Sequence, residues 1–156
     1  MNKKLKVGII GCGGIANSKH MPGLKSVEEA EMVAFCDLEI ERAEKAKAEY
    51  GTPDAKVYKD YKELLKDDSI DVVHVCTPNR SHAEITVAAL EAGCNVMCEK
   101  PMAINAAEAR LMLDAQKKSG KKLTIGYQNR YRRDTMALKK LALDGELGEI
   151  YMAKAH

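Results

Sequence analysis

The stretch GIIGCGGIANSKH, residues 8–20, places a glycine cluster directly after an apolar run and before a segment with helical character. Within it, GCGGIA at residues 11–16 matches the pattern GxGxxA. Gly11 would permit a tight turn, Gly13 would let the backbone approach a diphosphate, and the small Ala16 would allow the helix to pack closely on the strand. Free N–H groups and the helix dipole favour an anion at a helix N-terminus. We expect the cofactor contacts of this turn to come from Gly11, Gly13, Gly14 and Ile15.

The amino terminus also imitates an export signal, because two lysines precede an apolar run that leads to a cysteine. Lys6 and glycines interrupt this run, which is shorter than the roughly 7 to 15 residues of a signal-peptide core. No stretch of the chain reaches the roughly 18 apolar residues of a membrane span. The five cysteines are an odd number without a CxxC pair, which favours reduced thiols over disulfides or zinc. We therefore expect a soluble, cytoplasmic protein without a metal site.

Short apolar runs alternate with longer amphipathic segments along most of the chain. Nearly continuous hydrophobicity is typical of strands that are buried on both faces of a parallel sheet. Right-handed crossovers between such strands give an α/β fold with a doubly wound parallel sheet of the Rossmann type. Strands are predicted at residues 5–10, 31–36, 56–58, 72–76, 95–98 and 123–126. The net charge of +2 gives no long-range field that would attract nucleic acid, and we expect no nucleic-acid or membrane partner.

Three polar residues each precede a glutamate by three positions, which is the spacing of a helix N-cap and its N3 carboxylate. They are Asp60, Ser81 and Asn105. We expect each of them to cap a helix that crosses from one strand to the next.

After Gly126 the pattern changes to a charged helix at about residues 134–143, followed by a strand-like segment at residues 149–153. This last segment has no later segment with which to pair. We therefore predict a dinucleotide-binding Rossmann domain at residues 1–127. Residues 128–156 are predicted to form a linker helix and the first strand of a truncated second α/β domain, which would make the chain a fragment of a longer protein.

The second predicted strand ends at Asp37, 26 residues after Gly11. A carboxylate at about this distance from a glycine turn can accept hydrogen bonds from the ribose hydroxyls of adenosine. Its charge would repel a 2′-phosphate, which favours NAD over NADP, although Arg42 lies within helical reach and leaves NADP possible. Asp37 could alternatively be a helix cap before Glu41.

Three further predicted strands end in polar sequences, which are TPNRSH at residues 77–82, EKP at residues 99–101 and GYQN at residues 126–129. Ligands of doubly wound sheets bind beyond the carboxyl ends of the strands. Together with GIIGCGGIA, residues 8–16, and GELGEIYMAKAH, residues 145–156, these sequences resemble the amino-terminal half of the Gfo/Idh/MocA oxidoreductases. The combination of TPNRSH with EKP is much more specific than the glycine motif.

The resemblance implies an NAD(P)-dependent enzyme that transfers a hydride between nicotinamide and a sugar or polyol hydroxyl. It implies that Lys100 is the catalytic residue beside the nicotinamide. Further cofactor contacts are implied for Thr77, Pro78, Asn79, His82, Glu99, Pro101 and Gln128. Complete members carry a second domain that forms the substrate wall, so this chain is expected to be inactive alone, and the full-length protein is expected to be a homo-oligomer.

Oxidation of an alcohol requires the hydroxyl proton to leave as hydride departs. Lys100 could take or relay this proton, or polarise the oxygen as a cation, and the sequence leaves the choice open. Alternatively, Lys100 is a loop residue that pairs with Glu99.

Two other functions are compatible with the glycine turn. One is a non-catalytic module that senses a dinucleotide or uses it in assembly, and the other is a methyltransferase that uses S-adenosylmethionine. A methyltransferase gives no reason for Lys100. His74 lies within an apolar run and is interpreted as a core histidine and not as a metal ligand.

Overall fold

The computed structural model describes residues 3–154 and divides into two compact units. The first unit ends at Gly126, and the second begins at Tyr127.

The first unit contains a six-stranded, entirely parallel sheet with the strand order β3-β2-β1-β4-β5-β6. The strands are β1 (Leu5–Ile10), β2 (Ala30–Cys36), β3 (Lys56–Tyr58), β4 (Val72–Val75), β5 (Asn95–Cys98) and β6 (Leu123–Ile125). Every predicted strand of this unit is found, with ends that differ by at most one residue. The doubly wound parallel sheet predicted from the sequence is therefore confirmed.

Helices connect successive strands of this unit. A π-helical segment, Ala16–His20, runs directly into α1 (Met21–Lys25). The other helices of the unit are α2 (Ile40–Tyr50), α3 (Tyr61–Leu64), α4 (His82–Glu91) and α5 (Ala106–Ser119), with a short 3-10 turn at Asn79–Ser81 before α4.

The hydrophobic core forms two clusters, because successive side chains of a strand point to opposite faces of the sheet. In β1, Ile9 belongs to one cluster with Phe35, and Ile10 belongs to the other with Leu90. Phe35 and Leu90 are completely buried, and full burial of such a side chain contributes roughly 1.5–3 kcal/mol. The two-sided burial explains why the strands read as continuous apolar runs.

Two of the three predicted helix caps are present. The carboxylate of Asp60 accepts a hydrogen bond from the backbone N–H of Lys62, and the side chain of Asn105 accepts one from Glu108. The prediction for Ser81 is wrong, because its side chain makes no cap hydrogen bond and its Oγ lies 2.9 Å from Oγ1 of Thr77 and 2.8 Å from the carbonyl oxygen of Pro78. The 3-10 turn brings these oxygen atoms within reach, so Ser81 stabilises the loop before α4.

The second unit has a 3-10 turn at Gln128–Tyr131 and the helix α6 (Arg133–Leu143). The predicted strand at residues 149–153 is not formed in the described part of the chain. A strand requires a neighbour that pairs with its N–H and C=O groups, and no neighbouring strand is present in the described part of this unit. Across residues 3–154, no helix combines the length and apolar character needed to cross a membrane.

Candidate functional site

Because all six strands are parallel, their carboxyl ends meet at one edge of the sheet. Gly11 follows β1, Asp37 follows β2, Thr77 closely follows β4, and Glu99 follows β5. The strands β1 and β4 are neighbours from which the chain winds in opposite directions, which is the point where ligands bind in such sheets. The structure therefore brings the predicted glycine turn, Asp37 and the EKP segment to the same edge.

Gly11 occupies a position that only glycine can fill without strain. Its φ is +91°, and an added Cβ would lie 2.8 Å from both the carbonyl carbon and the carbonyl oxygen of Cys76. The neighbouring positions Gly13 and Gly14 are different, because an added Cβ at either one would meet no atom within 4 Å. The turn is thus packed tightly against β4 at Gly11 and is open at Gly13 and Gly14.

The side chain of Asn17 stabilises the turn from the helix side. Its Nδ2 donates to the carbonyl oxygens of Cys12 at 2.6 Å and of Gly13 at 2.9 Å. Asn17 was not identified from the sequence, although a side-chain donor four residues after Gly13 is positioned to reach back by one helical turn.

The carboxylate of Asp37 connects β2 with the glycine turn. Its Oδ2 accepts a hydrogen bond from the backbone N–H of Cys12 at 2.8 Å, and its Oδ1 accepts one from Glu39 at 3.0 Å. A carboxylate oxygen can accept more than one hydrogen bond, so Asp37 keeps capacity for a hydroxyl ligand. Beside it, Arg42 forms an exposed ion pair with Glu39 at 2.9 Å.

A cavity of about 470 Å³ lies at this edge. This volume is within the range of small-molecule sites. Its lining includes Gly11, Gly13, Asp37, Arg42, Thr77 and Pro78. A larger groove of about 790 Å³ lies between α4 and α5, and it contains neither the glycine turn nor Asp37. We place the candidate site in the smaller cavity because the open turn and Asp37 line it.

His82, for which the resemblance implies a cofactor contact, lies between the two loops that follow β4 and β5. The side chain is completely buried, and its ring nitrogens lie 2.7 Å from the carbonyl oxygen of Pro101 and 2.9 Å from that of Thr77. These contacts join the loop after β4 to the EKP segment after β5. His82 therefore positions two loops and does not present its ring to the cavity.

A hydrogen-bonded network of His20, His74 and Glu99 lies beside the EKP segment. Nε2 of His20 is 2.8 Å from Oε1 of Glu99, and the two Nδ1 atoms of His20 and His74 are 3.0 Å apart. Burial, together with the nearby His20, lowers the pKa of His74 to about 4. The contact with His20 gives His74 a hydrogen-bond partner, as expected for a core histidine. His20 was not identified from the sequence, since nothing in its local pattern indicates a partner 79 residues away.

Lys100 is exposed, and its contact with Glu99 is through the backbone. The Lys100 N–H donates to Oε2 of Glu99 at 3.0 Å, whereas Oε1 of the Glu99 carboxylate contacts Nε2 of His20. The alternative in which the Lys100 ammonium pairs with Glu99 is therefore not the arrangement in the structure. The Lys100 side chain is left available at the sheet edge.

The remaining predicted contacts differ in position. Ile15 and Asn79 are exposed, one in the helical segment after the glycine turn and one in the 3-10 turn before α4. Pro101 is also exposed, and the peptide bond that precedes it is cis. Gln128 is exposed and belongs to the second unit, where it begins a 3-10 turn.

All five cysteines are free and buried. Burial raises the pKa of Cys12 and of Cys36 to about 12, and the Asp37 carboxylate contributes in both cases. Neither thiol is a thiolate near neutral pH, so Cys12 is a packing residue of the glycine turn and not a nucleophile.

Comparison with known proteins agrees with this geometry. Residues 5–127 match the oxidoreductase family with an NAD-binding Rossmann fold, Gfo/Idh/MocA. The chain is 42% identical to D-glucoside 3-dehydrogenase of Escherichia coli K12, over 97% of this chain and 42% of that protein. It is 39% identical to inositol 2-dehydrogenase of Salmonella paratyphi B, over 95% of this chain and 44% of that protein.

Among solved structures, the WlbA dehydrogenase of Bordetella pertussis in complex with NADH and UDP-GlcNAcA superimposes with a TM-score of 0.89. The two chains are 29% identical, and the match covers 97% of this chain and 43% of the other. The chain thus spans less than half the length of the relatives named here. The parallel sheet and the residues at its carboxyl edge define a Rossmann domain. The family match also identifies the family to which this domain belongs. The chain belongs to the Gfo/Idh/MocA oxidoreductase family.

Proposed function

We propose that this chain is the cofactor-binding part of an NAD(P)-dependent oxidoreductase, which moves a hydride between nicotinamide and a sugar or polyol hydroxyl. The observation that carries the proposal is the single sheet edge that gathers the open glycine turn, Asp37 and the EKP segment. Membership of a family with an NAD-binding Rossmann fold supports the cofactor. The names of the relatives support the substrate class. Since the chain spans 42–44% of those relatives, we infer that it needs further residues for catalysis.

The glycine turn would hold the diphosphate. At Gly13 and Gly14 the backbone is bare on its open side, so an anion can approach the first N–H groups of the helix that follows. The exposed Ile15 would border the same space. Asp37 would accept hydrogen bonds from the adenosine ribose, using the oxygen lone pairs that Cys12 and Glu39 leave free.

The choice of dinucleotide would follow from charge. The Asp37 carboxylate disfavours a 2′-phosphate, because two like charges would meet at the cavity. Arg42 is the cation that could offset this repulsion, but its guanidinium is paired with Glu39. We therefore propose NAD as the preferred cofactor and NADP as a weaker ligand.

The loops after β4 and β5 would meet the nicotinamide half. Thr77, Pro78 and Asn79 would form one border, and Lys100 and Pro101 the other, with His82 holding the two borders together. When bound, NAD supplies the hydride acceptor. The Lys100 amine would accept or relay the proton that the substrate hydroxyl loses, or polarise its oxygen as an ammonium. Gln128 is proposed as a further contact in the complete protein.

Three wider features belong to the same proposal. The domain boundary lies at residues 127–128, and the second part begins a substrate domain. The full-length protein assembles as a homo-oligomer. The five free, buried cysteines are typical of proteins from a reducing compartment, so we propose a cytoplasmic location.

Titration of the folded chain with NADH, NADPH and S-adenosylmethionine, followed by calorimetry, tests the proposal. We expect saturable binding of NADH, weaker binding of NADPH, and no competition by S-adenosylmethionine. Absence of saturable NADH binding at millimolar concentration would refute the proposed cofactor, and tighter binding of S-adenosylmethionine would favour a methyltransferase. A full-length protein that binds NADH but oxidises no sugar or polyol would instead be a dinucleotide-sensing module.

A further inference from the structure

Glu99 is a nearly buried carboxylate, with 8% of its surface exposed. A charged carboxylate in such a place requires partners for its oxygens, because burial removes the water that would otherwise solvate it. The structure provides one partner for each oxygen. His20 contacts Oε1, and the backbone N–H of Lys100 donates to Oε2.

The position of the carboxylate is also restricted by its packing. An added Cβ at Gly126, directly after β6, would lie 3.1 Å from Oε1 of Glu99. The carboxylate thus fills the space beside a residue without a side chain. Rotation of the Glu99 side chain would break its contacts with His20 and with the Lys100 N–H.

The short distances in the network, together with a neutral His74, restrict where its protons can lie. His74 is neutral near pH 7 and carries a single ring proton, since its pKa is lowered to about 4 by burial and by His20. If His20 donates from Nε2 to the Glu99 carboxylate, a neutral His20 has only a lone pair at Nδ1. His74 must then donate from its Nδ1 across the 3.0 Å that separates the two rings.

We infer that His20 is a positioning residue, which holds the Glu99 carboxylate in place and through it fixes the backbone of Lys100. The network runs from His74 to His20 and then to Glu99, which also receives the Lys100 N–H. It extends from the centre of the sheet to the catalytic lysine that we propose above. The inference thus rests on the proposed function for its purpose, but its geometry can be tested without any cofactor.

Exchange of His20 for leucine removes both contacts of the ring. The Glu99 carboxylate then loses one partner and is expected to turn toward solvent, which releases the Lys100 N–H. We expect the Lys100 amide signal to shift in a ¹H–¹⁵N spectrum and its hydrogen exchange to accelerate about tenfold, as for the loss of one hydrogen bond. In the variant His20→Gln, the Lys100 amide signal and its exchange rate should stay close to those of the unmodified chain, because the glutamine amide can still donate to the Glu99 carboxylate. Lys19→Leu, an exposed exchange on the same helical segment, is the matched control and should leave the Lys100 amide unchanged.

Binding of two ligands distinguishes a positioning role of His20 from a general loss of stability. In His20→Leu, binding of NADH should weaken about fivefold, whereas binding of ADP-ribose, which lacks nicotinamide, should be unchanged. Equal weakening of both ligands together with a lower melting temperature would show a merely structural role and overturn the inference. An unchanged Lys100 amide in His20→Leu would overturn it as well.

The proton positions can also be measured in the unmodified chain, so this test does not depend on the folding of a variant. Imidazole ¹⁵N shifts should show the proton on Nε2 of His20 and on Nδ1 of His74. A proton on Nε2 of His74 beside a neutral His20 would contradict the network. If the unmodified chain fails to bind NADH, the proposed function is refuted, while the amide and imidazole measurements still decide the role of His20.

Discussion

The exchange of Gly11 for alanine should destabilise the fold strongly, whereas the same exchange at Gly13 should affect ligand binding. At Gly11, alanine would have to adopt a φ of +91°, which costs roughly 1–2 kcal/mol for a residue with a Cβ. Its Cβ would also lie 2.8 Å from two backbone atoms of Cys76, and overpacking of this kind costs roughly 1–3 kcal/mol. The sum is about 3 kcal/mol, which corresponds to a melting temperature lower by roughly 6–12 °C in a chain of this size.

Gly13 is the matched control, because it belongs to the same turn and undergoes the same chemical change. Its φ is not positive and an added Cβ meets no atom within 4 Å, so stability should change by less than about 1 kcal/mol. The new methyl group would occupy the open side of the turn, where we place the diphosphate. Binding of NADH should therefore weaken by about tenfold or more.

Thermal unfolding followed by circular dichroism measures the first effect, and calorimetric titration with NADH measures the second. A melting temperature of Gly11→Ala within about 2 °C of that of the unmodified chain would contradict the tight packing at Gly11, because such a shift corresponds to less than about 1 kcal/mol. Unchanged affinity of Gly13→Ala for NADH would contradict the open side of the turn as the place of the diphosphate. A large loss of stability in Gly13→Ala would show that the turn is not open on that side.

Three other predictions follow from the same region. Asp37→Asn removes the charge that opposes a 2′-phosphate, so the ratio of the NADPH to the NADH dissociation constant should fall about tenfold; an unchanged ratio in paired titrations would exclude Asp37 as the determinant. Asn17→Ala removes two hydrogen bonds to carbonyls of the glycine turn and should lower the free energy of unfolding by roughly 1–2 kcal/mol, measured by urea denaturation, with the exposed Ser18→Ala as control. The five buried thiols should resist an aromatic disulfide reagent at pH 8 in the folded chain, because burial raises the pKa of Cys12 and Cys36 to about 12. All five should react after unfolding in guanidinium, and rapid reaction of the folded chain would contradict the burial.

Much of the fold could be predicted from the sequence because its signals are local. Each strand of the first unit is a short apolar run between polar turns, and both the glycine motif and the N-caps at Asp60 and Asn105 depend on residues within one helical turn. The strand expected at residues 149–153 failed for the opposite reason. Its apolar residues favour an extended backbone, but a strand also requires a partner strand, which the described part of this unit does not provide.

Candidate site residues could be predicted where they follow strands, because a parallel sheet carries all its carboxyl ends at one edge. Gly11, Asp37 and the EKP segment were predicted to lie at this edge in this way, and the structure places them there. The sequence could not show how these residues contact one another. His82 was assigned to the cofactor from a loop motif, but the structure buries its ring between the carbonyl groups of Thr77 and Pro101.

The order of apolar and polar residues thus determined by itself that the chain forms a doubly wound sheet with a glycine turn after its first strand. Apolar runs and turn residues mark the strands and helices locally, and right-handed crossovers between parallel strands then favour this type of sheet. The tertiary structure decided which polar groups meet, since His20 and Glu99 are separated by 79 residues and contact each other only when β5 lies beside β4. Strand order, and not sequence spacing, determines such contacts, because burial of the two sheet faces selects one arrangement of the strands.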